Sequence, residues 1–265
     1  MGVGTKGERL RIVTYNVHKC KGIDGRVRPS RIVGVLREID PDVIALQEVV
    51  SVEDGRPEEH QAGYVATQLG YHYTIGENRR ISGAVYGNVV LSRYPLACVR
   101  NHDISVRGRE RRGCLHTDVS LPTGEPLHVF NVHLGTSFLE RRHQGRRLVD
   151  YEILKNKELR GARIMLGDFN EWTPGLASRL LAAHLKSVDV RDRLRKSTTF
   201  PGVFPFLSLD HIYYDDRLRL DGLTVHRSRL ALVASDHLPL VADFRLPAQE
   251  AKAGKSTTAR ASASF

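Results

Sequence analysis

Asp42-Val-Ile-Ala-Leu-Gln-Glu-Val-Val50 is a nearly continuous apolar run, rich in β-branched residues and ending in the polar pair Gln47-Glu48 before two valines. A run apolar at both alternating positions predicts a strand buried on both faces, which needs a layer of structure on each side. Upstream, Leu10 to Val17 also reads as a strand, with apolar residues at Leu10, Ile12, Val13, Tyr15 and Val17. Pro29 then opens a segment with Ile32, Val33, Leu36 and Ile39 at helical spacing. The first quarter is therefore strand, helix, strand, and a carboxylate, Glu48, sits near the end of its most buried strand.

The same reading places further strands at Tyr71 to Ile75, Gly87 to Arg93, Ala97 to Val106, Gly113 to Leu121, Leu127 to Leu134, Arg163 to Gly167, Leu209 to Tyr213, Leu223 to His226 and Leu240 to Phe244. It places helices at His60 to Leu69, Phe138 to Leu159 and Leu176 to Leu185. Short links such as Pro122-Thr-Gly-Glu-Pro126 join the middle strands as antiparallel hairpins, whereas the first and third quarters alternate strand and helix. The expected architecture is α/β, with two packed, mostly antiparallel sheets and helices outside. One domain spans 9–247, after an N-terminal extension (1–8). Residues 248–265 are small, polar and basic and are expected to form a flexible tail.

Over 265 residues, 40 Lys and Arg against 30 Asp and Glu leave a charge of +10, with 41% hydrophobic and 26% charged residues. That composition fits a chain with a core and excludes collagen-like, mucin-like or wholly disordered behaviour. Every apolar run is interrupted well short of the ~18 residues a membrane span needs, and the N-terminus lacks the apolar stretch of a secretory signal. The expectation is a cytoplasmic protein with no membrane span, acting as a monomer. Cys20, Cys98 and Cys114 have neither disulfide nor zinc-site spacing, so they are expected to be reduced, buried thiols.

Several clusters put a polar or acidic residue where a hydrophobic strand gives out: Asn16 in TYNVH, Glu48 in ALQEV, His133 in NVHL, Asp168 and Asn170 in LGDFN, Asp210 in LSLDHIY, and Asp236-His237 in ASDHLP. Each alone is ordinary cap or turn chemistry. Together they supply what hydrolysis of a phosphate ester requires: oxygen ligands for a hard cation, a base for the water, and donors around the phosphoryl group. Magnesium suits Glu48 with Asp236 or Asn16 better than any sulfur site. His237 is a candidate general base, with Asp210 to fix its tautomer.

In this order, TYNVH, LQE, GNVVLSRYP, NVHL, GDFN, LDHIY and SDHLPL resemble the endonuclease/exonuclease/phosphatase family. That family of metal-dependent hydrolases includes DNase I-like nucleases, sphingomyelinases and inositol polyphosphate phosphatases. The likeness runs from about Leu10 to Leu246 and, through TYNVHKCKGIDGR, is greatest to small bacterial members. It implies a four-layered α/β sandwich with the active site at one edge. It also implies Glu48 as principal Mg2+ ligand, with Mn2+ a substitute, Asn16 contacting metal or phosphate, and Asp236 completing the metal region. By the same resemblance His237 and Asp210 form the base pair, His133 binds phosphate or assists the leaving group, and Asp168 and Asn170 orient the water and phosphoryl oxygens.

Other residues keep two readings. His18 is a site residue or a strand-end hydrogen bond. Asn88 is a substrate-rim residue or turn chemistry, and Trp172 a packing residue or a stacking platform. His211 should point away from Asp210 and be structural. Two basic clusters, Arg107, Arg109, Arg111 and Arg112, and Arg141, Arg142, Arg146 and Arg147, are solvated faces or attract a polyanion; Arg111 and Arg112 are candidate phosphate ligands. NVHL stands where abasic-site endonucleases carry a Tyr- and Pro-containing motif, which argues against a DNA-repair role. The expected function is a magnesium-dependent phosphodiesterase or nuclease with nucleic acid as substrate. The alternative is a phosphatase or phosphodiesterase acting on a lipid head group or small phosphorylated metabolite. A non-catalytic binding module is set aside because every expected site residue is present.

Overall fold

The computed structural model describes residues 8–150, 152–171, 175–187, 198–201 and 207–246. The expected tail, Trp172 and all but Glu8 of the N-terminal extension lie outside these. Two six-stranded sheets face each other. The first holds β1 (Arg9–Asn16), β2 (Val43–Ser51), β3 (His72–Ile81), β4 (Ala84–Ser92), β11 (Arg219–Val225) and β12 (Leu240–Arg245), in the order β11-β12-β1-β2-β4-β3. The second holds β5 (Leu96–Asp103), β6 (Gly113–Ser120), β7 (Pro126–His133), β8 (Ala162–Asp168), β9 (Lys186–Ser187) and β10 (Asp210–Tyr214), in the order β5-β6-β7-β8-β10-β9. Each sheet has one parallel pair, β1 with β2 and β7 with β8; the other pairings are antiparallel.

Strand alternation divides the apolar residues into layers. Leu10 and Ile12 of β1, Val43 and Ala45 of β2, Val129 of β7 and Ile164 and Leu166 of β8 meet between the sheets. Val13, Tyr15, Ile44 and Leu46 face outward beneath α1 (Pro29–Ile39) and α2 (Gln61–Leu69). Phe130, Val132, Met165 and Phe169 face outward beneath α3 (Phe138–Leu148) and α4 (Leu176–Ala182). The result is the four-layered sandwich. Pro29 opens α1 where its missing N–H costs nothing, and Asp40, in the left-handed region at φ 54°, closes it by donating its N–H to Leu36 O. The residue at the α2 C-terminus, Gly70, takes φ 71°.

Several boundaries differ from the sequence reading. The helix expected over Phe138–Leu159 ends at Leu148. Ile153 and Leu154 still enter the core, but through turns, and the Arg163 guanidinium takes the carbonyls of Leu154, Asn156 and Leu159. Apolar spacing reports burial and not the backbone that achieves it. β3 runs on to Ile81, β4 begins at Ala84, β11 at Arg219, and β5 stops at Asp103. Cys20 and Cys114 are buried thiols, but Cys98 is exposed.

Candidate active site

Asn16, Gln47, Asn88, Asn131, His133, Asp168 and Asp210 share strand parity with the residues between the sheets, so the polar groups occupy one end of the inter-sheet layer. Register aligns them. His133 pairs with Asp168 across β7 and β8, Asp168 with Asp210 across β8 and β10, and Asn16 with Gln47 across β1 and β2. His237 arrives on the loop between β12 and the short α5 (Ala231–Ala234). Ser235 fixes that loop by donating its hydroxyl to Asn16 O at 2.8 Å and accepting the His237 N–H at 3.3 Å.

Glu48 is not at a strand end, as the sequence reading had it, but inside β2 at a bulge. The pairing with β4 jumps between Leu46 and Val49, and Glu48 takes φ 58°. Leu46 and Val49, three apart, both face the helix-covered core, so the bulge resets the alternation and frees Glu48 to turn toward the site. Such strained backbone in a non-glycine residue is typical of functional positions.

Contacts link the groups into one constellation. Asn16 Nδ2 donates to Glu48 Oε1 at 3.3 Å and Asp168 Oδ2 at 3.0 Å, while Asn16 Oδ1 accepts the His18 N–H at 3.0 Å. Asp168 Oδ1 accepts the Asn170 N–H at 2.9 Å, and Asn170 Nδ2 donates to Leu134 O. Asp168 Oδ2 lies 3.6 Å from His133 Nε2 and 3.7 Å from His237 Nε2. His237 Nδ1 donates to Asp210 Oδ2 at 3.0 Å, and Thr199 Oγ1 donates to the same oxygen at 2.6 Å. Asp236 is more exposed, 3.6 Å from His18 Nδ1, which places His18 beside the site.

Burial and charge set the protonation states. Burial disfavours the His237 imidazolium, but Asp210, Asp168 and Asp236 outweigh it and raise the ring to about 10. Burial, with Asp210 beside it, pushes Asp168 up to about 6 against the pull of His237. His133 is held well below its ordinary value by burial and then by Arg112, so it is neutral. Arg112 Nη1 is 2.9 Å from His133 Nδ1, and a guanidinium only donates, so His133 carries its proton on Nε2, facing Asp168.

The two arginines expected to hold phosphate separate. Arg112 is buried, with Nη1 on His133 and Nη2 donating to Glu110 at 3.0 Å, so it positions His133 while also bordering the cavity beside Arg111. Arg111 is exposed at a neighbouring 210 Å³ cavity lined also by Glu77, Asn101 and Asp103. Of the second basic cluster, Arg141 turns inward onto the carbonyls of Gly135 and Thr136. Asn88 is buried and donates to Gly113 O and Asn131 O, so it is neither rim nor turn. His211 faces away from Asp210, its Nε2 3.0 Å from Glu171 O.

Sequence reasoning missed Lys19, whose Nζ lies 3.5 Å from Glu48 Oε2, and the buried Thr199 and Ser235. It also missed the polar floor. Gln47 Nε2 donates to Thr14 Oγ1 and Asn131 Oδ1, and Asn131 Nδ2 donates to Leu46 O and Val89 O, tying the sheets together beneath the site. The available signal was parity: Thr14 and Gln47 stand at inward positions of strands otherwise apolar there.

The donor set fits a hard divalent cation. Among the described residues the contacts of the Glu48 carboxylate are the Asn16 amide and the Lys19 ammonium, a setting of oxygen and nitrogen groups. Glu48, Asp236 and Asp168 do not form a compact trio of ligand atoms, which suits an ion that keeps several waters.

The family model for the Endonuclease/Exonuclease/phosphatase family matches residues 13–237. The uncharacterized protein YbhP of Escherichia coli is 30% identical over 248 residues, covering 89% of this chain and 96% of its own. The structure of an endonuclease/exonuclease/phosphatase from Beutenbergia cavernae superposes with a TM-score of 0.70 at 25% identity, covering 90% of this chain and 72% of that one. A mannosyl-6-phosphatase from Bacteroides thetaiotaomicron gives a TM-score of 0.70 at 17% identity, covering 89% and 99%. The family match over residues 13–237, with a relative 30% identical across 89% of the chain and a sandwich of the same build, means that the chain belongs to the endonuclease/exonuclease/phosphatase family of phosphoester hydrolases, whose members are generally divalent-metal-dependent.

Proposed function

We propose that the protein is a Mg2+-dependent phosphodiesterase in which Glu48, with Asn16 and Asp236 beside it, holds the metal. The observation that carries this reading is the contact chain from Glu48 through Asn16 to Asp168, and from Asp168 to both His133 and His237. A bound cation would neutralise the phosphoryl oxygens and lower the charge barrier to attack. The protonation states divide the remaining roles differently from the sequence reading. Asp168, raised to about 6, has the affinity suited to taking a proton from water near neutral pH. His237, raised to about 10 and anchored by Asp210, is an imidazolium that stabilises charge on a phosphoryl oxygen. Neutral His133 presents Nε2–H as a second donor, and Asn170 fixes the Asp168 carboxylate through its backbone N–H.

A second reading, a phosphatase or phosphodiesterase for a small phosphorylated metabolite, is favoured by one observation. Arg112 and Arg141, one from each basic cluster, are turned inward, which shortens any track for a polyanion. The B. thetaiotaomicron neighbour carries the name of a sugar phosphatase. The test is to assay the purified protein with Mg2+, Mn2+ or EDTA against plasmid DNA, single-stranded RNA, phospholipid, a chromogenic phosphodiester and a phosphomonoester. Metal-dependent cleavage of a diester supports the first reading, and cleavage of the monoester alone the second. No turnover of any ester would remove both.

A further inference from the structure

We propose that His116, Asp118 and His128 form a second metal site, of the Zn2+ class, on the outer face of the second sheet and independent of the phosphoester site. His116 and Asp118 are two apart on β6, and Asp118 pairs directly with His128 across β6 and β7, so all three project from one face. That face is the one bearing Cys114 and Phe130, opposite to the face that carries Asn131 and His133. Five residues of strand also separate His128 from His133, about 17 Å at ~3.3 Å per residue.

The ligand atoms of the trio all lie within 4.8 Å of one another, the one such group of His, Cys, Asp and Glu among the described residues. His128 Nε2 is 2.8 Å from Arg160 O, and a carbonyl cannot donate, so that nitrogen bears the proton. The Nδ1 of a neutral His128 ring is then a lone pair, aimed at Asp118 Oδ1 only 2.6 Å away, itself an acceptor. His116 Nε2 lies 3.2 Å from the same oxygen but outside hydrogen-bond geometry, and is buried with no hydrogen-bond partner among the described residues. With His116 in the tautomer that leaves Nε2 bare, three electron-pair donors lie within 4.8 Å of one another. Protonating His128 would relieve one clash but leave His116 Nε2 unsatisfied; a cation satisfies all three.

The surroundings are those of a held ligand set. The His116 ring stacks on Phe130 at 4.2 Å and 16°, which fixes its plane, and Arg160 O supplies the outer hydrogen bond that orients a metal-bound imidazole. Two imidazole nitrogens and one carboxylate oxygen select Zn2+ or its neighbours over Mg2+. The Asp118 side chain is 15% exposed, so an ion can enter and water can complete its coordination. Bound there, the ion would clamp β6 to β7 and to the Arg160 turn that leads into β8.

The experiment strips the folded protein with a chelator, restores excess Mg2+ for the hard-oxygen site, and titrates Co2+ and Zn2+. The expected result is one further equivalent of Co2+ with a visible d–d absorption, displaced by Zn2+, and a Zn2+-dependent rise in melting temperature. Asp118→Asn, which keeps the shape, and His116→Gln should each weaken binding by more than about 100-fold, beyond the loss typical of outer-shell changes. Glu48→Gln should leave the absorption intact. Absence of the Co2+ signal in the folded wild type, or its persistence in both variants, overturns the proposal. Should His116→Gln not fold, Asp118→Asn alone decides.

Discussion

Replacing Asp210 with Asn removes the charge that holds His237 protonated, while leaving a side chain of the same shape under Thr199. The consequence is measurable as a pH dependence of stability. His237 is raised from 6.5 to about 10 in the folded protein, so its stabilisation is complete below pH 6.5 and is lost as pH rises toward the folded value. Above pH 6.5 the unfolded chain gives up the proton that the native state keeps, at 1.36 kcal/mol per pH unit. Other groups bound the usable window. Asp168, at about 6, has largely ionised by pH 6.5, and the buried Cys20 and Cys114, raised from 9.0, contribute only above pH 9. Across roughly 2.5 units from pH 6.5 to 9 the wild type should therefore lose up to about 3 kcal/mol through His237. Urea unfolding at half-unit steps in EDTA, which keeps metal from competing for the same charges, measures it. Asp210→Asn should lose less than about 1 kcal/mol over that range. Parallel stability curves for the two proteins would refute the electrostatic account of His237.

Glu48→Gln should cut turnover by at least ~10² with the melting temperature unchanged, because Glu48 serves the proposed metal and, among the described residues, meets Asn16 and Lys19 alone; kinetics with circular dichroism check both. Arg112→Met should lower kcat by at least about 10-fold, since it loosens His133, and steady-state assays separate that fall from any change in KM. Asn131→Leu removes the side-chain donor to the carbonyls of Leu46 and Val89 and one of the three acceptors of Gln47 Nε2, which keeps Thr14 Oγ1 and Ala45 O, and should cost about 2 kcal/mol in urea unfolding.

The layers were legible because strand alternation and burial are local: the DVIALQEVV run, NVHL and GDFN each declare which residues face the core. His133, Asp168 and Asp210 could be read as neighbours because each closes or opens a strand whose inward parity is set by its apolar residues. What escaped depends on partners distant in sequence. Nothing local to LQE shows that β2 continues and bulges at Glu48; the bulge is defined against β4. Lys19 reaches Glu48 only because three consecutive residues, His18, Lys19 and Cys20, take left-handed backbone after β1. Arg112 reads as a surface cation until His133 and Glu110 are seen to bracket it. The end of α3 at Leu148 is likewise invisible, since Arg163, from β8, satisfies the carbonyls that a longer helix would have used.

The polar floor explains why the site can hold so many buried carboxylates and imidazoles. Gln47, Asn131, Asn88 and Thr14 are almost fully buried between two sheets, where an unpaired amide would be costly, yet most of their groups find partners on the facing sheet or a neighbouring strand. The floor fixes the spacing of the sheets at the end where Asn16 on one must reach Asp168 on the other, 3.0 Å apart. A purely apolar layer could pack there at several spacings with little change in energy, because dispersion contacts are individually weak and without direction. Directional hydrogen bonds between the sheets admit one. The precision that the proposed phosphoryl chemistry needs from Asp168 and His237 is thus built below them, in residues buried between the sheets.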